Sequence, residues 1–262
     1  MKRLFTILAL LLPLAAGAQV YYNDYDTEFG GRMSLTLDKK IRKGLHVSAE
    51  AEVRLKENTG TIGRYQAGVG ISWKASDLLK FGAGYIFIEK QNSSSIWKPR
   101  HRFYGDVAAT LHAGNWRFSL KERLQLTHRD GINRFQNTPN SLSLKSRLKV
   151  AYKGFRDWTP YGYIELRNVF NDPTCKATWS STYKTFVDYT FTGYDGAYFN
   201  RCRGVLGTEW KLSKTHSFDF FLMGDYCYDK VVDTDRTGTA IYSIGFDRGF
   251  RLSAGIGYTF SF

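Results

Sequence analysis

The strongest constraint in this sequence is an alternation of apolar and polar side chains that recurs along most of its length. Between Leu45 and Leu55 every odd-numbered position is apolar and every even-numbered position is polar. Successive side chains of a β-strand point to opposite faces, whereas a helix would place both kinds of side chain on every face. The segment is therefore predicted to be a strand with one apolar and one polar face.

The same pattern returns in segments of about 9 to 13 residues, the length of a tilted strand that crosses a bilayer rather than the usual five or six. Short connections between these segments alternate with long ones, as in transmembrane barrels. The short connections include Ala75–Leu78, Ala113–Asn115 and Ser213–His216, and the long ones include Glu89–Arg100, His128–Asn140 and Phe170–Ala197. The predicted fold class is all-β, an antiparallel transmembrane β-barrel.

The number of strands follows from counting these segments. Strong candidates start near residues 31, 45, 62, 79, 101, 116, 141, 160, 198, 217 and 251. Because bacterial barrels made from one chain usually have an even number of strands, twelve are predicted, within a range of about 10 to 14. A short opening strand at Val20–Asp26 is preferred over Thr239–Asp247 as the twelfth, since it places the short turns on the usual side.

The first residues have the organisation of an export signal. Lys2 and Arg3 precede an apolar stretch from Leu4 to Leu14, and Ala16-Gly17-Ala18 offers a cleavage site. The stretch is too short for a permanent transmembrane helix. We therefore predict a Sec-type signal peptide over residues 1–18 and a single barrel domain over residues 19–262. The predicted location is the outer membrane of a Gram-negative cell.

Composition excludes several other classes of protein. Aromatic residues make up 16% of the chain, and disordered chains are poor in them. The formal net charge is +13, but the basic residues are spread along strand faces, which disfavours a nucleic-acid partner. Cys175, Cys202 and Cys227 lack metal-ligand spacing and are too few for a disulfide framework. Neither a metal nor a cofactor is expected.

Four segments, taken in order and spacing, resemble an exported family catalogued as domain of unknown function 2490. The resemblance extends from about Glu28 to Asp229. It implies an outer-membrane barrel and no established activity. The segments that carry it are Trp97–Asp106, Lys121–Gln125, Pro160–Leu166 and Asn200–Arg203.

The polar face of the predicted strands is strongly basic. Strands with clear alternation carry thirteen basic residues on this face against five acidic ones. One sign of charge in a water-filled pore with low-dielectric walls concentrates counter-ions. This predicts a porin-like, passive, anion-preferring pore for small acidic solutes or oligosaccharides. The proposed basic lumen residues are Arg54, Arg64, Arg102, Lys121, Arg123, Lys145, Arg147 and Arg203.

Two other functions fit the same barrel. In a plugged structural barrel, or one that interacts with lipid or lipopolysaccharide without transport, the interior charges would form ion-pair networks. An outer-membrane hydrolase is the least favoured, because His101 and the other histidines come with no nucleophile motif, and no catalytic residue is predicted. The expected partners are outer-membrane lipid, lipopolysaccharide and the insertion machinery, which would engage the C-terminal strand ending at Phe262. A monomer is expected.

The connection Asn171–Asn200 is rich in aromatic residues, whose rings need burial. We interpret it as a loop packed on the barrel rim. The alternative is an inward-folded constriction or a surface that stacks on sugars. The aromatic residues concerned are Trp179, Tyr183, Tyr189 and Tyr194.

Overall fold

The computed structural model describes residues 21–24, 27–92, 95–183 and 185–262, so the predicted signal peptide lies outside the described residues. The chain forms one sheet that closes on itself by pairing of its last strand with its second. The strands are β1 (Tyr21–Asp24), β2 (Glu28–Arg42), β3 (Leu45–Lys56), β4 (Thr61–Lys74), β5 (Leu79–Gln91), β6 (Trp97–Ala113), β7 (Trp116–Arg129), β8 (Asn140–Tyr152), β9 (Trp158–Ser180), β10 (Thr185–Lys211), β11 (His216–Thr234) and β12 (Ile241–Ser261).

In the described part of the chain the barrel has eleven strands, and the prediction of twelve is wrong. β1 pairs with Gly245–Arg248 and β2 pairs with Arg251–Ser261, so both lie along the same edge of β12. β1 therefore extends the line of β2 and does not add a strand to the barrel. The segment Thr239–Asp247, the other candidate for the twelfth strand, contributes the start of β12. Consecutive strands are antiparallel, and with an odd number the closing pair must be parallel, as β12 and β2 are. The wall is thus mixed.

The apolar face of the alternation points outward, as predicted. Leu35, Val69 and Leu124 on the exterior are about half exposed, while the charged side chains of the other face are largely covered inside the barrel. A small apolar cluster, formed by Ala151, Tyr161, Val205 and Met223, is buried within the barrel. This arrangement is the reverse of a soluble β-protein, whose apolar faces pack together in a core.

Aromatic rings encircle the barrel end that carries the tight turns, which we call the short-turn rim. The rings of Trp116 and Tyr152 lie 5.0 Å apart, and those of Trp158 and Trp210 stack at 5.5 Å. Such girdles mark membrane–water interfaces. Tyr161 also lies near a strand end, a position that predicts a girdle residue. Its side chain faces the interior instead. The other members of the girdle are Trp73, Phe81, Phe218 and Tyr258.

At the opposite end, which we call the tall rim, β9 to β12 extend beyond the other strands. They contain 23, 27, 19 and 21 residues, against 12 to 17 for β2 to β8. The expected loop Asn171–Asn200 is therefore mostly an extended hairpin, and its prediction as a loop is wrong. Its aromatic residues are accommodated by pairing across strands, as in the contact between Trp179 and Phe186 at 5.1 Å.

A glycine on β5 makes room for an interior side chain. A Cβ atom built on Gly84 would lie 2.5 Å from the Tyr104 hydroxyl and 2.5 Å from the Val69 carbonyl oxygen. Because one of these atoms belongs to the backbone, the contact cannot be relieved by moving a side chain alone. Tyr104 can lie along the interior wall only because position 84 lacks a side chain.

We expect Gly84→Ala to destabilise the barrel by about 1–3 kcal/mol, the usual cost of overpacking. The matched control is Gly105→Ala on the neighbouring strand, because a Cβ there meets no atom within 4 Å. The measurement is denaturant unfolding of the refolded protein in detergent. Equal losses in the two variants would contradict the close approach at Gly84.

Candidate functional site: the barrel interior

One row of interior charges alternates in sign around half of the barrel. Residues directly opposite each other on adjacent strands share a face, and neighbouring strands lie about 4.8 Å apart. On β8 to β12 and then β2, each member of the row is opposite the next. We call it the ion-pair ladder: Arg147, Glu165, Arg203, Asp225, Arg251 and Glu28.

The centre of the ion-pair ladder is closely hydrogen bonded. Arg147 donates to Glu165 at 2.5 and 2.9 Å, and Arg203 donates to Asp225 at 2.6 and 3.0 Å. Arg203 also lies 3.6 Å from Glu165. The side chains of Glu165, Arg203 and Asp225 are only 4%, 8% and 7% exposed. Buried charges are tolerated where geometry and hydrogen bonding are this complete.

A second row, on β2 to β6, has a single sign. We call it the cationic row, and its members are Arg32, Arg54, Arg64, Lys90 and Lys98, each directly opposite the next. Like charges directly opposite one another are destabilising. Two members find acidic partners: Arg54 hydrogen bonds to Glu52 of its own strand, and Arg32 lies 3.6 Å from Asp225. The row therefore remains predominantly positive.

Next to the cationic row lies a group of arginines that we call the Arg102 cluster: Arg100, Arg102, Arg129, Arg167 and Arg201. Arg100 is directly opposite Arg129, and Arg167 is directly opposite Arg201. Arg102 interacts electrostatically with three of these arginines and with Arg54. Its Nε donates to the Thr127 hydroxyl at 3.0 Å.

Three arginines in this region each have one N–H group without an acceptor. The Nε atoms of Arg64, Arg129 and Arg201 are buried and make no hydrogen bond in the described part of the chain, although Arg64 and Arg129 donate elsewhere through their terminal nitrogens. Asp229 approaches the Arg102 cluster and lies 3.8 Å from Arg167. A buried N–H group without an acceptor is costly. The interior thus contains one region whose charges are paired and another region with donors in excess.

A small cavity opens on the inner wall of β7 to β9. It has a volume of about 70 Å³ and is lined by Lys121, Arg123, Lys145, Arg147 and Glu165. Asp106 approaches Arg123 at 2.6 Å and Lys121 at 3.0 Å. The structure therefore brings four of the eight predicted basic residues together around one space.

The other predicted residues also face the interior but lie apart from this cavity. Arg203 belongs to the ion-pair ladder, Arg54 and Arg64 to the cationic row, and Arg102 to its own cluster. Sequence reasoning missed Glu165, although it shares the odd-numbered face of Tyr161 and Tyr163, which could have placed it inside. It also missed four arginines of the Arg102 cluster: Arg100, Arg129, Arg167 and Arg201.

The aromatic residues predicted at the tall rim make packing contacts there. The Tyr194 hydroxyl donates to the Arg134 carbonyl at 2.9 Å, and Phe135 packs on Phe191 with ring centres 5.3 Å apart. Trp179 and Tyr183 are largely exposed near the tip of the β9–β10 hairpin. The Tyr189 hydroxyl is buried without a hydrogen-bond partner among the described residues.

Residues 130–139, between β7 and β8, are anchored to the β11–β12 turn. Asn133 donates to the Thr234 hydroxyl at 3.2 Å and to the Asp235 carbonyl at 3.1 Å. Asp235 itself accepts hydrogen bonds from the Thr237 hydroxyl and from the backbone amides of Ala240 and Thr239, and these lower the pKa of its carboxyl group. The turn is thus organised by a charged group at neutral pH.

The structure places His101 and Asp106, the histidine and the carboxylate of β6 considered for catalysis, on opposite faces of the strand. Asp106 points into the barrel, whereas His101 points outward and hydrogen bonds to the Tyr85 hydroxyl at 2.7 Å. Among the described residues, no group of three or more His, Cys, Asp or Glu side chains could hold a metal ion. The described residues also contain no helix long and apolar enough to cross a membrane.

Comparison with known proteins gives a family but no activity. No curated protein matches the sequence. Among solved structures, the outer-membrane expressed OmpT of Vibrio cholerae is similar over 77% of this chain and 60% of that chain, with 10% sequence identity and a TM-score of 0.36. The family model described as protein of unknown function DUF2490 matches residues 32–236, so the chain belongs to that family, as its motifs predicted.

Proposed function

We propose that the protein is a passive, anion-preferring pore of the outer membrane for small acidic solutes or acidic oligosaccharides. The observation that carries the proposal is the cationic row, in which five basic residues lie side by side on β2 to β6. A water-filled interior with this surface attracts anions and repels cations.

The exterior supports the placement in a membrane. Its strands present half-exposed Leu and Val side chains to the surroundings, and aromatic rings encircle the short-turn rim. Short turns are typical of the periplasmic side of outer-membrane barrels, so the tall rim would face the outside of the cell. In this proposal the chain is exported by its N-terminal signal, acts as a monomer without catalysis, and contacts lipid and lipopolysaccharide. Phe262 would engage the insertion machinery.

The division of the lumen explains how such a pore is both stable and selective. The ion-pair ladder neutralises one side of the wall, where burial is deepest. The cationic row and the Arg102 cluster, which reaches β9 and β10 through Arg167 and Arg201, leave the rest of the wall positive. Because unpaired cations are far less costly when they are hydrated than when they are buried, the positive side requires water in the lumen. A hydrated, positive surface is what anion permeation needs.

Single-channel recording of the refolded protein in a planar bilayer tests the proposal. Under a KCl gradient we expect a stable conductance whose reversal potential shows anion selectivity. Arg64→Glu should reduce that selectivity severalfold, since it inserts a negative charge into the cationic row. Arg156→Glu is the matched control, because it makes the same charge change in an exposed turn at the short-turn rim.

Two other outcomes of the recording would contradict the proposal. Cation selectivity, or equal selectivity in the two variants, would overturn the assignment of the cationic row. A folded barrel without conductance would instead favour the plugged or lipid-interacting barrel, in which the ion-pair ladder serves stability alone.

A further inference from the structure

We propose that the Arg102 cluster and the adjoining part of the cationic row form a binding site for a polyvalent oxyanion, a solute that carries several phosphate or carboxylate groups. The inference rests on the proposed function, because the ligand must enter the lumen. It adds a defined site with equilibrium affinity to a general preference for anions.

This part of the lumen has a local excess of positive charge. The five arginines of the Arg102 cluster adjoin Arg54, Arg64 and Lys90, so eight cations line this part of the lumen. Arg64 interacts electrostatically with Arg54 and Arg102, and Lys90 with Arg64 and Arg100, which shows that the two groups are continuous. Five carboxylates neighbour these cations: Glu50, Glu52, Asp172, Asp225 and Asp229. Asp172 and Asp225 also pair with Lys230 and Arg203, which lie outside the group. The eight cations therefore remain in excess.

The residues opposite the arginines differ between this site and the ion-pair ladder. On β8 to β12 the chain provides a carboxylate opposite each arginine of the ion-pair ladder. On β4 to β7 the positions opposite Arg64, Arg100 and Arg129 are themselves basic. The fold is therefore able to pair buried arginines with its own acids, and it does not do so here.

Three arginine Nε groups at this site are hydrogen-bond donors without an acceptor. The Nε groups of Arg64, Arg129 and Arg201 are shielded by the protein yet have no acceptor in the described residues. Each such group is destabilising while it lacks a partner. Guanidinium groups bind planar carboxylates and phosphates through paired, charge-assisted hydrogen bonds. An oxyanion would supply acceptors and negative charge together.

The spacing of the basic residues indicates a polyvalent ligand. They are distributed over several strands, and neighbouring strands lie about 4.8 Å apart. A monovalent anion would neutralise one pair and leave the other like-charged pairs unrelieved. A chain of anionic groups that crosses several strands could bridge Arg64 with Lys90 and Arg100 with Arg129 in one complex. These side chains are only partly buried or exposed, so a ligand in the lumen can reach them.

Isothermal titration of the refolded protein in detergent tests the site, with tripolyphosphate, trigalacturonate and inorganic phosphate as probes at constant ionic strength. We expect at least one of the two probes with three anionic groups to bind about tenfold or more tightly than phosphate, because it engages several arginines at once. Arg102→Gln and Arg129→Gln should each weaken that binding severalfold. Arg156→Gln, in an exposed turn, should leave it unchanged.

Tripolyphosphate and trigalacturonate decide which oxyanion the site prefers, and tight binding of either supports it. Equal affinity for all three probes, or binding of these two that neither glutamine variant weakens, would overturn the inference. Circular dichroism and heat-modifiable migration verify that each variant is folded, and the second arginine keeps the test valid if one variant does not fold. Binding without conductance would overturn the pore and keep the site, whereas anion conductance without binding would do the opposite.

Discussion

Glu165→Ala is expected to cost the barrel about 3–5 kcal/mol of stability, the usual loss when one partner of a buried ion pair is removed. Glu165 accepts from Arg147 at 2.5 Å and lies 3.6 Å from Arg203 and 3.9 Å from Lys145. Without its carboxylate, Arg147, Lys145 and the nearly covered Arg203 would face one another with no negative charge between them. Denaturant unfolding of the refolded protein in detergent measures the loss.

The matched control for this prediction is Glu28→Ala at the end of the same ion-pair ladder. Glu28 and its neighbour Arg251 are about half exposed, at a distance of 3.9 Å. Water screens such a pair, so its removal should cost about 1 kcal/mol or less. A similar loss in both variants would mean that burial does not determine the strength of the ion-pair ladder.

Val69→Arg is expected to destabilise the protein in a bilayer by about 2–4 kcal/mol, because a charged side chain near the middle of the lipid-facing band must be desolvated or displaced toward the interface. Val69 lies in the middle of β4 and is 57% exposed on the outer face of the barrel. The measurement is reversible unfolding from lipid vesicles. This substitution tests the membrane placement independently of any transport.

Leu78→Arg provides the comparison. Leu78 is 46% exposed, much like Val69, but lies in the tight turn between β4 and β5. In a water-soluble protein, two half-exposed apolar residues would tolerate arginine about equally well. In a membrane barrel the turn variant should lose about 0–1 kcal/mol, because its charge remains near the aqueous interface. Equal effects in the two variants would contradict the membrane placement.

Much of the fold could be predicted because alternation is a local property. The pattern over Leu45–Leu55 places Val47 and Ala49 on one face and Ser48 and Glu52 on the other, whatever lies next to the strand. The eleven strands all correspond to strong candidates in the sequence. The predicted twelfth strand rests on the even-number rule, which is a tendency among barrels that this chain does not follow.

The extended hairpin of β9 and β10 could not be predicted in the same way. Its register shifts between Val187 and Thr190, and again between Phe191 and Gly193, so the alternation is interrupted where the strands continue. A segment with interrupted alternation and many aromatic residues resembles a loop in sequence. Pairing of residues 185–199 of β10 with residues 168–180 of β9, which is decided only in the sheet, keeps the segment extended.

For the strands with clear alternation, the sequence by itself determined which side chains face the interior and that the interior is basic, because the direction of a side chain follows from its position along a strand. The tertiary structure alone decided which charges lie opposite one another. Glu165 is near Arg203 and Arg64 near Lys90 because the register of adjacent strands places them there, at long distances along the chain. The closure of the sheet then gives the lumen a paired region and a positive region, a division that no local pattern contains.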